Sequence, residues 1–148
     1  MTNSLKLFAC LALASLLGIA HAQIAGQGTV KAISGTPQIA RPGMSASVLQ
    51  LGDAVNTGDV IRTPSNSSVG LLMKDGTRMS LGANSELHIK EFTFDSTTQD
   101  GQLWMDLLKG TLRMITGAIA KTNPEQVKVT TPTSVVGVRG TDFIVQAN

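Results

Sequence analysis

Residues 69–81 read VGLLMKDGTRMSL, in which two apolar runs flank the polar segment KDGT. Asp-Gly between two apolar runs is a strong signal for a β-hairpin, because glycine supplies the positive φ that such a turn requires. The segment therefore predicts a hairpin whose turn contains Asp75 and Gly76. The two strands that this turn joins are expected at Val69–Met73 and Arg78–Leu81.

The chain after Gln23 continues in the same pattern, with short apolar runs separated by turns that are rich in Gly, Pro, Ser and Asn. This pattern predicts roughly ten to twelve short strands and an all-β fold. The only mildly helical piece is residues 117–125, where Pro124 limits a helix. We expect a twisted β-solenoid-like domain or an irregular sandwich or barrel, with little or no helix after the N-terminal segment.

The run ELHIKEFTF changes its apolar spacing in the middle. Leu87 and Ile89 share one face of a regular strand, whereas Phe92 and Phe94 fall on the other face. An extra residue near Lys90–Glu91 would bring all four side chains to one face, which is the effect of a β-bulge. We expect a bulge here, and a strand with two partly covered faces is the alternative.

The run QLWMDLL, residues 102–108, fits either a strand or one short helix. Leu103, Met105 and Leu107 alternate with their neighbours, which favours the strand. Gly110 is expected to end that strand, and a further strand is expected at 111–116.

The N-terminal segment MTNSLKLFACLALASLLGIAHAQ has the parts of a secretory signal peptide. Lys6 precedes an uncharged run of roughly 14 residues, which is short for a permanent membrane span. Small residues at Ala20 and Ala22 fit the positions that a signal peptidase reads. We expect cleavage near Ala22 and a periplasmic or secreted protein, with an uncleaved anchor as the alternative. A lipid-modified Cys10 is less favoured, because most of the apolar run follows it.

The composition argues against several classes of function. The sequence has twelve Lys and Arg residues and ten Asp and Glu residues. Because Lys6 belongs to the expected signal peptide, the net charge of the rest of the chain is close to zero. Such a balance creates no basic field for nucleic acid and no polybasic membrane patch. Cys10 is the only cysteine and His88 is the only histidine after the signal peptide. We therefore expect no thiol catalysis, no metal and no cofactor.

Candidate catalytic groups are few in this sequence. Pairs of carboxylates drawn from Asp59, Asp75, Glu86 and Asp142 need a cleft to be useful, and no GxSxG elbow occurs. The segment GVRGT at 137–141 lacks both the dinucleotide fingerprint and the P-loop lysine, and no helix follows it. We expect no catalytic residues.

The segment VVGVRGTDFIV, residues 135–145, places two charges inside an otherwise apolar strand pair. Its two glycines are expected to let the backbone turn sharply and approach another strand. An arginine that enters an interior must find acceptors, because an unpaired buried charge costs several kcal/mol. We expect Arg139 to act as a clamp that ties the C-terminal strand pair to the earlier Gly-Asp loop, residues 51–59. Carbonyl groups of that loop, Asp142 or Asp59 would accept its hydrogen bonds. The candidate structural or binding residues are Gly137, Arg139, Gly140, Thr141, Asp142 and Asp59.

Several segments together resemble the FecR domain. They are GDVIRT at 58–63, KDGT at 74–77, LGANSEL at 81–87, LKGTL at 108–112, TPT at 131–133 and GVRGTDF at 137–143. They occur in the order of that family, between Gly52 and the last residue. The resemblance implies an exported all-β module that is similar to the solenoid-like domain of FecR regulators, without catalytic residues.

The founding members of that family are anti-sigma regulators. They hold a sigma factor in the cytoplasm, cross the membrane once and sense an iron-siderophore transporter from the periplasm. We expect this chain to lack the sigma-binding segment, the span and the further signalling subdomain, so iron signalling is not implied. The expected organisation is a signal peptide at 1–22, an N-terminal strand and turns at 23–51, and a FecR-like β domain at 52–148.

The leading expectation is an exported, non-enzymatic β-domain that binds a protein or a peptidoglycan-type envelope polymer. Strand edges and turn backbones would make the contacts. The alternative is an accessory in FecR-type signalling that acts in trans with a membrane regulator, and an envelope hydrolase is least favoured. Nucleic acid and a stable membrane span are not expected.

Overall fold

A computed structural model describes residues 26–148 of the chain. The signal peptide expected at 1–22 lies outside the described residues. Of the described residues, 55% lie in strands and 7% in helices, so the all-β prediction is confirmed. The sequence left open whether the strands form a solenoid, a sandwich or a barrel. In the structure they form one curled sheet, a half-barrel.

Twelve strands follow one another along the described chain. They are β1 (Gly28–Ser34), β2 (Gln38–Ala40), β3 (Ser47–Val48), β4 (Ala54–Val55), β5 (Val60–Thr63), β6 (Ser68–Met73), β7 (Arg78–Leu81), β8 (Ser85–Phe94), β9 (Gly101–Ile115), β10 (Val127–Thr131), β11 (Ser134–Gly137) and β12 (Asp142–Ala147). The short helix α1 (Ala118–Thr122) and a 3-10 turn (Pro124–Gln126) lie between β9 and β10. They occupy the one piece with helical character in the sequence.

A long bent hairpin forms the centre of the sheet. β7 and β8 follow each other along β9, with Arg78 opposite Ile115 and Phe94 opposite Gly101. The prediction of a strand at 102–108 is confirmed, but the prediction that Gly110 ends it is wrong. Gly110 has a φ of +88°, and a Cβ there would overlap Ser85. Glycine therefore lets the strand bend against β8 and continue.

The two halves of β9 have different neighbours. The first half lies between β8 and β10, and the second half lies between β7 and β12. Beyond β8 the sheet continues through β5, β2 and β3, and beyond β7 it continues through β6, β1 and β4. β11 lies on the far side of β10, and all pairings are antiparallel except that between β9 and β10. Because β1 and β2 pair with β6 and β5, the strands before Leu51 belong to this same sheet.

The bend at Gly110 curls the sheet around its core. The connection 116–126 leaves the end of β9 at Ile115 and leads to β10, whose first residue lies opposite Leu103. If β9 were straight, Leu103 and Ile115 would lie about 40 Å apart. A partly helical connection of this length is too short for that distance, so the two halves of β9 fold toward each other.

β8 contains the predicted bulge. Its register with β9 shifts between Ile89 and Glu91, so Lys90 is the extra residue. As a result Ile89 and Phe92 are both buried in the core, and Phe94 packs against it. The bulge prediction is confirmed.

The hairpin of β6 and β7 is present as the KDGT segment predicted. Gly76 has a φ of +83°. The carboxylate of Asp75 accepts hydrogen bonds from the N–H and the hydroxyl of Thr77, at 3.0 and 2.7 Å. The hydroxyl oxygen of Thr77 in turn accepts a bond of 3.0 Å from the N–H of Gly117, which ties this turn to the start of α1.

Candidate binding surfaces

Arg139 does not enter the interior, so the predicted clamp is wrong. Its side chain is exposed, and it forms no ion pair or side-chain hydrogen bond with any residue of 26–148. The inward residue of this loop is Val138, which is 4% exposed. The physical reason is that the apolar neighbour fills the core position, whereas a guanidinium placed there would have to be desolvated.

The two glycines beside Arg139 also differ from expectation. A Cβ added at Gly137 or at Gly140 would meet nothing within 4 Å, and neither residue has a positive φ. The prediction that they permit a close approach to another strand is therefore wrong. Neither backbone conformation nor packing requires glycine at these two positions.

The loop 138–141 is fixed to the end of β9 by its backbone. The N–H of Thr116 donates to the carbonyl oxygen of Thr141 at 2.9 Å. The hydroxyl of Thr116 donates to the carbonyl oxygen of Gly140 at 3.2 Å. Thr141 and Gly140 therefore take part in a structural contact, while the side chain of Arg139, in the loop between β11 and β12, is exposed.

Asp142 has a partner other than Arg139. Its carboxylate accepts two hydrogen bonds from the guanidinium of Arg113, at 3.0 and 2.7 Å. Both side chains are about half exposed. The hydrogen bond with Arg113 is the main cause that holds the pKa of Asp142 below its usual range.

Asp59 lies in another part of the fold and is 2% exposed. Its carboxylate accepts a hydrogen bond of 2.8 Å from the N–H of Asn56, in the turn before β5. Its carbonyl oxygen accepts a bond of 3.0 Å from the N–H of Ile89. Burial raises the pKa of Asp59, and the Asn56 hydrogen bond and the charge of Arg41 oppose this effect. The structure does not bring Asp59 and Arg139 together.

A second surface lies on the outer side of β5, β8, β9 and β10. Neighbouring strands place outward residues side by side, so that Arg62 lies opposite Glu86, His88 opposite Asp106, and Trp104 opposite Lys128. We call the following residues the Trp104 face: Arg62, Glu86, His88, Lys90, Trp104, Asp106, Leu108, Lys128 and Thr130.

Trp104 lies at the centre of this face with 36% of its surface exposed. The ammonium of Lys128 lies 4.9 Å from the centroid of its ring, within the range of a cation–π contact. The ammonium of Lys90 lies 3.7 Å from a carboxylate oxygen of Asp106. Together with Thr130, these residues surround an open hollow of about 250 Å³.

Glu86 is the centre of a charge network on the same face. Its carboxylate lies 3.1 Å from Nε of Arg62 and 3.0 Å from Nε2 of His88. The hydrogen bond with Arg62, followed by that with His88, lowers the pKa of Glu86. This part of the face therefore carries fixed charges of both signs.

The comparison with known families covers both surfaces. The family described as FecR protein matches residues 59–148, which is more than half of the chain. The chain belongs to the FecR family. The resemblance expected from the motifs is confirmed, and FecR proteins are envelope-associated and linked to regulators of cell-surface signalling rather than to enzymes. No curated protein and no solved structure shows significant similarity to the chain.

Two further observations concern the described part of this FecR-family chain. It contains no group of three or more His, Cys, Asp or Glu side chains that could hold a metal ion. Between residues 26 and 148, helices are too short or too polar to cross a membrane.

The Trp104 face was not predicted from the sequence, although part of the signal is present there. The alternation of Leu103, Met105 and Leu107 already places Trp104 on the outer side of its strand. What the pattern did not indicate is that β10 lies beside β9 and brings Lys128 to the indole ring. That contact depends on the bend of β9. The bend brings the first half of β9 close to β10, which follows the second half of β9 in the sequence.

Proposed function

We propose that this FecR-family chain is an exported, non-enzymatic binding module that docks a protein of the cell envelope through the Trp104 face. The observation that carries the proposal is the exposed indole of Trp104 at the centre of an open sheet face. Tryptophan is enriched among the residues that dominate binding energy at protein interfaces.

The neighbours of Trp104 support a macromolecular partner. Leu108, four residues further along β9, is 40% exposed and is a second apolar residue of this face. Around it lie the ion pairs of Arg62 with Glu86 and of Lys90 with Asp106. An apolar centre with a charged rim is the usual anatomy of a protein interface, in which the charges select and orient the partner.

The arrangement around His88 supports a role without catalysis. A general base needs a neighbouring nucleophile and a group that orients it. The hydrogen-bonding partner of His88 is Glu86, and Glu86 is itself paired with Arg62. This is a charge network on an exposed sheet face, and within residues 26–148 no hydroxyl group is hydrogen-bonded to the imidazole.

A peptidoglycan-type polymer is the second candidate, because the hollow beside the exposed Trp104 ring could hold a sugar ring. An accessory role in FecR-type signalling, in trans with a membrane regulator, is consistent with either partner and rests on the family. Recovery of a FecR-type membrane regulator in the capture experiment below would support that role.

The test uses Trp104 as its own reporter, because it is the single tryptophan of the chain. The protein is immobilised to capture envelope proteins, and in a second arm it is sedimented with purified peptidoglycan. Trp104→Ala should abolish retention in the arm that reports the partner, and that partner should shift the tryptophan emission of the wild-type protein. Leu51→Ala is the matched control, since Leu51 is also an exposed apolar residue, 68% exposed in the turn before β4.

The two arms distinguish the candidates. Retention of an envelope protein that is lost only with Trp104→Ala supports the proposal, and retention on peptidoglycan alone supports the second candidate. If neither arm shows retention, or if Trp104→Ala behaves like Leu51→Ala, the proposed function is wrong.

A further inference from the structure

The loop around Arg139 has features that the fold itself does not require. Gly137 and Gly140 face open space, and neither adopts a conformation reserved for glycine. Glycine in such a position lowers the stability of the chain through its entropy, without a compensating contact in the described structure. A residue without a side chain is useful there if another backbone approaches the loop closely.

Arg139 offers its guanidinium to solvent between these glycines. The acid at the start of β12, Asp142, is occupied by Arg113. Glu125 lines the same hollow as Arg139 but does not form an ion pair with it. A guanidinium presents a planar fork of donors that matches a carboxylate in two parallel hydrogen bonds.

Two open hollows flank Arg139, with volumes of about 310 and 340 Å³. Both are lined by Gly137, Val138 and Arg139. The second hollow is also lined by Val136, Phe143 and Ile144, together with Gly140 and Asp142, so apolar residues lie next to the positive charge.

Two strand edges end at the same loop. β11 pairs only with β10, and β12 pairs only with β9, so each leaves its second edge without a strand among residues 26–148. An unpaired edge presents N–H and C=O groups that can bind an extended chain by β-augmentation. β12 is the longer edge, with six residues.

We propose that this loop binds an extended peptide that ends in a free carboxylate. The peptide backbone pairs with the free edge of β12, and the carboxylate binds the guanidinium of Arg139. An apolar side chain of the peptide occupies the hollow of Val136, Phe143 and Ile144, and the two glycines leave room for its backbone. The charge and the strand edge select the peptide, and this site does not depend on the Trp104 face.

The test is a titration of the isotopically labelled protein, followed by the NMR shifts of its backbone amides. The probe is a pool of synthetic hexapeptides with mixed sequence, an apolar last residue and a free C-terminal carboxylate. The comparison probe is the same pool with an amidated C-terminus. The free-acid pool should shift the amides of residues 137–145, and the amidated pool should bind at least about tenfold more weakly.

Variants identify the groups of the protein that bind the peptide. Arg139→Gln should weaken binding by about tenfold or more, because it removes the charge-assisted pair. Lys31→Gln is the matched control, since it removes an exposed cation on β1, which is not adjacent to β11 or β12. Gly140→Ala should leave the amide spectrum of the free protein unchanged elsewhere, yet weaken binding.

Three results would overturn the inference. Equal shifts with the free-acid and the amidated pools would show that the carboxylate is not recognised. Binding by Arg139→Gln at the wild-type level would remove the guanidinium from the site. Shifts of the same amides with inorganic phosphate, at the same concentration and of the same size, would reduce the site to a general oxyanion contact.

Discussion

Arg113 and Asp142, 29 positions apart in the sequence, form a bidentate ion pair. The guanidinium of Arg113 donates two hydrogen bonds to the carboxylate of Asp142, at 3.0 and 2.7 Å. Arg113 lies on the second half of β9, and Asp142 is the first residue of β12. The pair therefore marks the point where β12 begins to follow β9. It also positions the end of the loop that carries Arg139.

Asp142→Asn should lower the stability of the protein at neutral pH, and the effect should depend on pH. The folded-state pKa of Asp142 is below its ordinary value, with Arg113 as the main cause. A lowered pKa means that the contribution is present above the unfolded pKa and is lost as pH falls through the folded pKa. Thermal unfolding of both proteins should give curves that converge in acid. A difference that widens on acidification would contradict this assignment.

Arg139→Ala should leave the melting temperature nearly unchanged, because the side chain is exposed and unpaired within the described structure. Val138→Ala, one residue away, should cost about 1–2 kcal/mol, because it removes buried methyl groups and leaves a small cavity. Val138 is 4% exposed. Denaturant unfolding measures the loss in the free energy of unfolding for both variants. A marked loss with Arg139→Ala would support the interior role that the sequence predicted for Arg139.

The contrast between Val138 and Arg139 shows what the sequence could and could not predict. Hairpin turns and inward positions depend on neighbours in sequence, so the turn at Asp75 and the bulge at Lys90 were predictable. The partners of charged side chains depend on which strands become neighbours. The bend at Gly110 decides that, and the glycine alone did not distinguish a bend from a strand end.

Gly110→Ala should destabilise the protein strongly. Its φ of +88° is unfavourable for a residue with a Cβ, and that atom would overlap the backbone and side chain of Ser85. We expect a loss of about 1–3 kcal/mol from the backbone conformation alone, and more from the overlap. Urea unfolding provides the measurement. Gly137→Ala is the matched control, because a Cβ there meets nothing, and equal losses in both variants would argue against the bend.

Asp59→Asn should increase stability at neutral pH. Burial raises the folded-state pKa of Asp59, so the fold favours the neutral carboxyl group. The contribution of a group with a raised pKa is fully present below the unfolded pKa and is lost as pH rises through the folded pKa. An asparagine stays neutral at every pH, and its side-chain oxygen can still accept the hydrogen bond from the N–H of Asn56. Thermal unfolding from neutral to acidic pH should show an advantage of the variant that shrinks in acid. A variant that is less stable at neutral pH would mean that the charge of Arg41 outweighs the burial of Asp59.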